Sequence, residues 1–277
     1  MDKKQILLSN DDGIASPGLW AAARELSKLG YVTVAAPREQ HSGAGRSVPA
    51  WTDGEIKPTT LRIGDQDWTC YAIGGSPAQA VQYGIFAVLK FKPDLVVSGI
   101  NYGENPATDI SLSGTVGAAL EAASYGIPAL AVSLQLDDTD YLGYSRKTDF
   151  STAAIFTRRF AQLMLEQPLP PDVHVLNVNV PSGATPETPW RVTQLGKHPY
   201  FVPYLKPSET PGGMPRISAN PLPHPEDLGN PLSDVHTFRE AHMVSVTPLS
   251  LDLTSRVDLQ ELQRAWEDGE NNNENRE

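Results

Sequence analysis

The stretch QILLSNDDG at residues 5–13 decides the fold. An apolar run of strand length ends abruptly in polar residues, and a stretch with helical periodicity follows it. Similar runs recur at residues 31–36, 95–98 and 129–133, again with helix-period stretches between them. This alternation is typical of βαβ units. The sequence therefore predicts a Rossmann-like, three-layer α/β core with a mainly parallel sheet.

The chain divides into a core, an extension and a tail. The predicted core spans residues 1–180, and breaks at Gly54, Pro58 and Gly64 predict a hairpin-like excursion near 47–70. Most of the 24 prolines fall between residues 168 and 231, which argues against a continuous helix or central strand there. Residues 181–262 are therefore predicted to form a proline-rich C-terminal extension with a returning strand near 243–247. A tail, 263–277, is predicted to be partly disordered.

Composition excludes several classes of protein. The formal charge of −11 opposes binding to duplex nucleic acid. No apolar run approaches the ~18 residues that a membrane span needs, and no signal-peptide pattern precedes Asp11, so a cytoplasmic protein is expected. Cys70 is the only cysteine, which excludes intrachain disulfides and cysteine-based zinc sites.

An acidic pair follows the first predicted strand. In doubly wound sheets the ligand binds beyond the carboxyl ends of the strands, which is where Asp11 and Asp12 fall. Two adjacent carboxylates repel each other unless a cation or strong donors lie between them, and a hard divalent ion is the simplest partner. The alternative is an Asx turn that caps a helix beginning near Ser16.

Three further segments follow predicted strands or open a helix. Residues 37–47 form a loop rich in small residues, with two arginines that suit phosphate oxygens. Residues 98–105 place Asn101 between glycines, where its amide can offer a neutral oxygen. Residues 111–119 form a small-residue turn that opens a helix and presents free N–H groups to an anion. Surface loops or turns are the alternatives. No P-loop or GxGxxG pattern is present, so ATP hydrolysis and dinucleotide redox chemistry have little support.

Several segments together resemble a known family. Residues 6–14 (ILLSNDDGI), 98–103 (SGINYG) and 113–119 (SGTVGAA) are similar to the signature segments of the survival protein SurE family, which are metal-dependent 5′/3′-nucleotidases. The resemblance continues through 126–129 and returns at 244–249. It does not extend to residues 195–230, where the family has an Arg- and Tyr-containing stretch that shapes the nucleotide pocket.

The resemblance implies a site, a substrate and an assembly. Asp11, Asp12, Ser42 and Asn101 fall on the positions that hold one Mg²⁺ or Mn²⁺ per subunit. The implied activity is hydrolysis of nucleoside 5′- and 3′-monophosphates to nucleoside and phosphate, with some action on short polyphosphate. Family members are dimers or tetramers whose C-terminal arms exchange between subunits, and the proline-rich extension is the candidate for such a swapped arm.

A catalytic hypothesis follows from these residues. Asp11 and Asp12 anchor the metal and are the candidate catalytic residues, with Asp11 accepting the proton of the attacking water. No histidine is assigned a catalytic role, because none has the spacing of a ligand pair. The candidate phosphate-binding residues are Asn10, Gly43, Ser113, Gly114 and Thr115.

Other functions with an acidic pair at this place fit less well. Haloacid dehalogenase-type phosphatases need Asp-x-Asp, whereas Asp11 and Asp12 are adjacent. A receiver module needs a phosphoacceptor Asp after its third strand, where this chain has Asn101. A non-catalytic regulatory module that binds metal and nucleotide remains the alternative, and an activity assay separates it from the enzyme.

Overall fold

The computed structural model describes residues 3–136, 148–208, 210 and 213–274. The strands are β1 (Lys4–Ser9), β2 (Gly30–Pro37), β3 (Ile56–Ile63), β4 (Gln66–Ile73), β5 (Leu95–Tyr102), β6 (Ala129–Leu134), β7 (Val175–Val180), β8 (Trp190–Val192), β9 (Phe201–Lys206), β10 (Arg216–Pro221) and β11 (Val244–Leu249). The helices are α1 (Pro17–Leu26), α2 (Pro77–Tyr83), α3 (Gly114–Ser124), α4 (Ser151–Glu166), α5 (Pro225–Gly229), α6 (Asp234–Arg239) and α7 (Leu259–Glu274). A π-helical turn, Gly84–Leu89, continues α2, and a 3₁₀ helix, Ala107–Ser111, precedes α3.

Nine strands form one sheet in the order β3-β4-β2-β1-β5-β6-β7-β11-β8. The central strands from β4 to β7 run parallel to one another, while β3 and β11 are antiparallel to their neighbours β4 and β7. Strands β9 and β10 pair separately as an antiparallel hairpin. The predicted α/β fold with a mainly parallel sheet is therefore confirmed.

Helices cover both faces of the sheet because the central strands are apolar on both sides. Along β1, Ile6 and Leu8 face the core formed with α1 and α4, and Leu7 faces the core formed with α2 and α3. Both cores exclude water from these side chains, which are at most 1% exposed. The result is the three-layer arrangement that the sequence predicted, with the polar residues that follow β1 at the carboxyl edge of the sheet.

The C-terminal half of the chain contributes strands to the main sheet of this core. Strand β11 lies between β7 and β8, so that part of the 181–262 extension completes the main sheet. Strands β3 and β4 form a hairpin, and β4 also pairs in parallel with β2. Helix α7 includes most of the 263–277 tail, and residues 275–277 lie outside the described residues. No helix in the described part of the chain combines the length and the apolar character needed to cross a membrane.

Glu25 on α1 joins this helix to α4. Arg158 Nε donates a hydrogen bond to Glu25 Oε2 at 2.8 Å, and Lys28 donates to Oε1. Burial raises the pKa of Glu25, but the hydrogen bonds and positive charges of Lys28 and Arg158 outweigh it and hold the pKa below 4.5. A carboxylate whose pKa is lower in the folded than in the unfolded state stabilises the protein fully at pH values above its unfolded-state pKa. This contribution is lost as the pH falls through the folded-state pKa.

We therefore expect Glu25→Gln to lower the Tm at neutral pH, because it removes the carboxylate that both cations contact. The difference from the wild type should shrink as the pH falls below 4.5 and vanish below the pKa of folded Glu25. Thermal denaturation across a pH series measures both effects. The exposed Glu187, changed to Gln, is the control. Identical pH profiles for the two variants would contradict the prediction.

Candidate active site

Asp11 lies just beyond β1, buried against the start of α3. Thr115 Oγ1 donates a hydrogen bond to Asp11 Oδ1. A Cβ on Gly114 would stand 2.7 Å from Asp11 Cβ, so only glycine lets the helix approach this closely. Burial raises the pKa of Asp11, and the Thr115 hydroxyl and the nearby amides, including those of Thr115 and Gly114, lower it only in part. The helix terminus is therefore turned toward a buried carboxylate.

Asp12 and Asn101 are joined through the end of β5. The pairing of β5 with β6 shifts register between Ser98 and Asn101, which redirects the side chains that follow. Tyr102 N donates to Asp12 Oδ2 at 3.1 Å. Asn101 Nδ2 donates to the carbonyl oxygens of Tyr102 and Gly103 at 3.1 and 2.7 Å. Both hydrogen bonds use the amide nitrogen, so Oδ1 is the atom that Asn101 can offer to a ligand.

The loop after β2 packs directly on α3. Gly45 N donates to Leu112 O at 2.9 Å. A Cβ on Gly117 would lie 2.2 Å from Gly45 O, so the loop and the helix touch backbone to backbone. This contact holds Ser42 and Gly43 beside the start of α3.

These segments surround one cleft of about 290 Å³ at the carboxyl edge of the sheet. It is lined by Asp11, Ser42, Gly43, Asn101, Tyr102, Gly103, Glu104, Asn105, Asp109, Leu112, Ser113 and Phe201. Among these described residues there is no lysine, arginine or histidine. The cleft thus carries carboxylates, a hydroxyl and amides, and its described lining offers no positive side chain to an anion.

The two arginines of the loop after β2 have other partners. Arg38 bonds Asp53 and Glu55, each at 2.6 Å, and Arg46 Nε bonds Glu121 Oε2 at 2.6 Å. Neither arginine lines the cleft. Carboxylates from neighbouring segments hold them, which corrects the suggestion from sequence that they face phosphate.

Five of the predicted site residues line the cleft, namely Asp11, Ser42, Gly43, Asn101 and Ser113. Asp12 is not part of this lining but is tied to it through Tyr102 N. Asn10, Gly114 and Thr115 are buried behind Asp11. Asn10 Nδ2 donates to Gly13 O at 3.1 Å, and the Thr115 hydroxyl is committed to Asp11. In the structure these buried residues contact Asp11 or the turn after it, and their assignment to phosphate stays a prediction.

Sequence reasoning missed the contribution of the extension to the cleft. Tyr200 Oη donates to Glu104 Oε1 at 2.6 Å, and the amides of Tyr200 and Phe201 donate to Asp109 Oδ2 at 2.9 and 2.7 Å. Phe201 then forms part of the cleft wall. The partners are more than 90 residues apart and follow no periodic pattern. The only local signal is an aromatic pair directly after Pro199.

Asp234 fastens the extension to the segment beside the cleft. Its buried carboxylate accepts hydrogen bonds from the amides of Ala107, Gly196 and Val235 at 2.8–2.9 Å. Burial raises the pKa of Asp234 despite these bonds, so part of their stabilisation is offset by desolvation. The carboxylate nevertheless satisfies amides of Ala107 and Gly196 that come from different parts of the chain.

We expect Asp234→Ala to lower the free energy of unfolding by about 3 kcal/mol, because each buried amide left without an acceptor costs about 1–3 kcal/mol. Urea denaturation measures the change. Asp65, exposed in the turn between β3 and β4, supplies the control Asp65→Ala. A loss of unfolding free energy in Asp234→Ala no larger than in this control would show that the hydrogen bonds to Asp234 do not stabilise the fold.

Comparison with known proteins identifies the family. The family model described as "Survival protein SurE" matches residues 6–201. The 5′-nucleotidase SurE of Methanosarcina mazei is 40% identical over 94% of this chain and 97% of its own length. That of Thermococcus gammatolerans is 41% identical over 93% of this chain and 94% of its own. The crystal structure of the SurE protein from Aquifex aeolicus superposes with a TM-score of 0.73 at 33% identity, covering 94% of this chain and 99% of that one. The chain belongs to the survival protein SurE family, as its sequence segments predicted.

Proposed function

We propose that this protein is a nucleotidase that hydrolyses nucleoside 5′- and 3′-monophosphates, and short polyphosphate, with one Mg²⁺ or Mn²⁺ ion per subunit. The names of its relatives support the nucleotidase activity, since those of Methanosarcina mazei and Thermococcus gammatolerans are both called 5′-nucleotidases. The cleft described above is the proposed place of reaction. Its chemistry supports the metal requirement.

One observation carries the metal requirement. Asp11 lines the cleft, and the described lining contains two further acidic side chains, Glu104 and Asp109, with no lysine, arginine or histidine. A phosphate ester brought next to a buried carboxylate would be repelled, because little solvent screens the two negative charges. A cation held by Asp11 would offset this repulsion.

The donor set fits a hard divalent ion. Asp11 and Asp12 supply carboxylates, Ser42 a hydroxyl and Asn101 an amide oxygen, which are the oxygen ligands that Mg²⁺ and Mn²⁺ prefer. The Asn101 amide nitrogen is already committed to two carbonyl groups, which leaves its oxygen as the free acceptor. When bound, such an ion neutralises charge on the phosphoryl oxygens and makes a coordinated water more acidic.

The other roles in the proposed reaction are assigned to side chains of the protein. Asp11 and Asp12 hold the ion, while the neutral Ser42 and Asn101 complete its ligands without cancelling its charge. Asp11 accepts the proton of the attacking water, and Thr115 fixes the orientation of the Asp11 carboxylate.

Phosphate and nucleoside contact different residues of the cleft in this scheme. The backbone of Gly43 and of Ser113, at the start of α3, contacts the phosphate oxygens. Leu112 and Phe201 offer an apolar side to the nucleoside. Nucleoside monophosphates are therefore the proposed partners of the cleft.

The test is phosphate release from a panel of nucleoside 5′- and 3′-monophosphates and tripolyphosphate, after EDTA treatment and after addition of Mg²⁺ or Mn²⁺. We expect no release in EDTA, recovery with either metal, and strong impairment in Asp12→Asn but not in the exposed control Asp65→Asn. Wild-type turnover and metal affinity in Asp12→Asn would refute the assigned ligand set. Binding of nucleotide without any turnover would favour the regulatory module instead.

Self-association as a dimer or tetramer is part of the proposal. The proposed arm is the proline-rich extension, 181–262, whose last part exposes Leu253 (94%) and Leu259 (60%), and the tail that follows exposes Trp266 (67%). An exchanged arm would bury them against a second copy of the chain. Because β11 lies inside the sheet, a truncation that tests this must begin after Leu249. Gel filtration of the full chain and of a chain ending at Leu249 should show a smaller assembly for the truncated form, and an unchanged size would show that the chain after Leu249 does not hold the copies together.

A further inference from the structure

Three side chains of the extension bring possible metal ligands together outside the cleft. His198 lies between β8 and β9, His224 directly precedes α5, and Glu226 lies on α5. Their ligand atoms all lie within 4.8 Å of one another. The two imidazole rings stack with centroids 3.7 Å apart, and His198 Nε2 is 3.8 Å from Glu226 Oε2. Residues about 26 apart in the chain thus converge on one point, a juxtaposition that their sequence spacing does not reveal.

A buried carboxylate orients one of these histidines. Asp227 accepts hydrogen bonds from the amides of Lys197 and His198 at 2.9 and 3.0 Å, and its Oδ2 lies 3.2 Å from His198 Nδ1. An imidazole that donates from Nδ1 to a carboxylate keeps its lone pair on Nε2. The same carboxylate–histidine pairing orients ligands in protein metal centres. In His198 it leaves the nitrogen nearer to Glu226 available.

We propose that His198, His224 and Glu226 form a second metal site, which takes a borderline divalent ion such as Zn²⁺. Two imidazoles and one carboxylate are typical ligands of zinc, whereas the cleft offers only oxygen atoms and suits harder ions. Bonds of about 2.0–2.2 Å to zinc place ligand atoms about 3.3 Å apart, so the two rings must rotate out of their stacked arrangement to close the site. The amide of Glu226 donates to His224 Nδ1 at 3.3 Å, which leaves Nε2 as the ligand atom of His224. Glu226 is 77% and His198 32% exposed, which gives them room to rotate and admits water as the fourth ligand.

A metal ion bound at this site would stabilise the segment that carries Phe201, which forms part of the cleft wall. His198 stands two residues before Tyr200 and three before Phe201, which are anchored on Glu104 and Asp109. An ion shared with His224 and Glu226 ties this segment to α5. The site is therefore structural, since its ligands do not line the cleft where the substrate is proposed to bind.

The experiment is a calorimetric titration of the full metal-free chain with Zn²⁺, in excess Mg²⁺ so that the oxygen site in the cleft is occupied. We expect one Zn²⁺ per chain. Affinity should fall at least about 10-fold in His198→Gln and in Glu226→Gln, because loss of a residue that only orients a metal ligand already costs about 10–100-fold. Because Glu226 is exposed, its substitution leaves the fold intact.

Two matched variants locate the bound ion. His242→Gln removes an exposed histidine outside the cluster and should bind Zn²⁺ like the wild type. Asp11→Asn alters the cleft and should also retain Zn²⁺ binding, which separates this proposal from the nucleotidase site. Unchanged affinity in either His198→Gln or Glu226→Gln overturns the proposal. Loss of Zn²⁺ binding in Asp11→Asn would do the same, because it would place the ion in the cleft.

Discussion

Asp11→Asn should yield a folded protein that releases phosphate from nucleoside monophosphates about 10³-fold more slowly than the wild type. The substitution keeps the size of the side chain and an oxygen that can accept the Thr115 hydrogen bond. It removes the negative charge that is proposed to hold the cation and the proposed acceptor for the water proton. A loss of ~4 kcal/mol of transition-state stabilisation corresponds to this factor.

The thermal stability of Asp11→Asn should not fall with its activity. The Asp11 carboxylate is buried, and burial raises its pKa, so the fold bears a desolvation cost that a neutral amide avoids. We expect the Tm of metal-free Asp11→Asn to equal or exceed that of the metal-free wild type. Phosphate release and thermal denaturation of the same preparations measure both, with Asp65→Asn as the control. If activity and Tm fell together, the loss would be a folding defect, and the catalytic role of Asp11 would have no support.

Gly117→Ala should reduce kcat/KM by about 10²-fold while the sheet and its two cores stay folded. The new Cβ would lie 2.2 Å from Gly45 O and 2.7 Å from Arg46 N, both of them backbone atoms that no rotamer change can move. The loop must therefore shift away from α3 and carry Ser42 with it. A displacement of about 1 Å at a positioned group costs about this much in rate.

The matched control is Gly229→Ala, where an added Cβ meets nothing within 4 Å. Steady-state kinetics at saturating Mg²⁺ and a thermal melt of each variant are the measurements. We expect only a small change in the Tm of Gly117→Ala beside the large fall in kcat/KM, because alanine favours the helix. Wild-type kcat/KM in Gly117→Ala would mean that the loop after β2 does not depend on this contact to position Ser42.

Local pattern predicted the elements that carry an apolar periodicity of their own. The apolar run of β1 and the helix-period stretch that follows it as α1 appear at their observed places because burial selects apolar residues with the period of each element. Pattern predicts a returning strand near 243–247, but it predicts neither β8 nor the place of β11 in the sheet. Strand β8 has three residues and two of them are exposed, and the neighbours of β11 depend on the path of the proline-rich chain.

The site divides in a similar way. Asp11 and Asn101 could be placed together because they lie at the carboxyl ends of neighbouring parallel strands, β1 and β5, which share one edge of the sheet. The family resemblance added Ser42. The role of the α3 terminus could not be predicted, because free amides at a helix start serve a carboxylate as well as a phosphate. Only the structure shows that Gly114 and Thr115 contact Asp11.

The insertion of β11 beside β7 has a consequence for the newly made chain. Everything up to Val180 can leave the ribosome and assemble a sheet while the partner strand at Val244–Leu249 is still unmade. Synthesis of the intervening stretch, about 70 residues, takes ~4–14 s at 5–20 residues per second. Throughout that interval the edge of β7 carries unpaired backbone groups that another nascent chain could join. Aggregation during translation should therefore be most acute for chains stalled between Val180 and Val244.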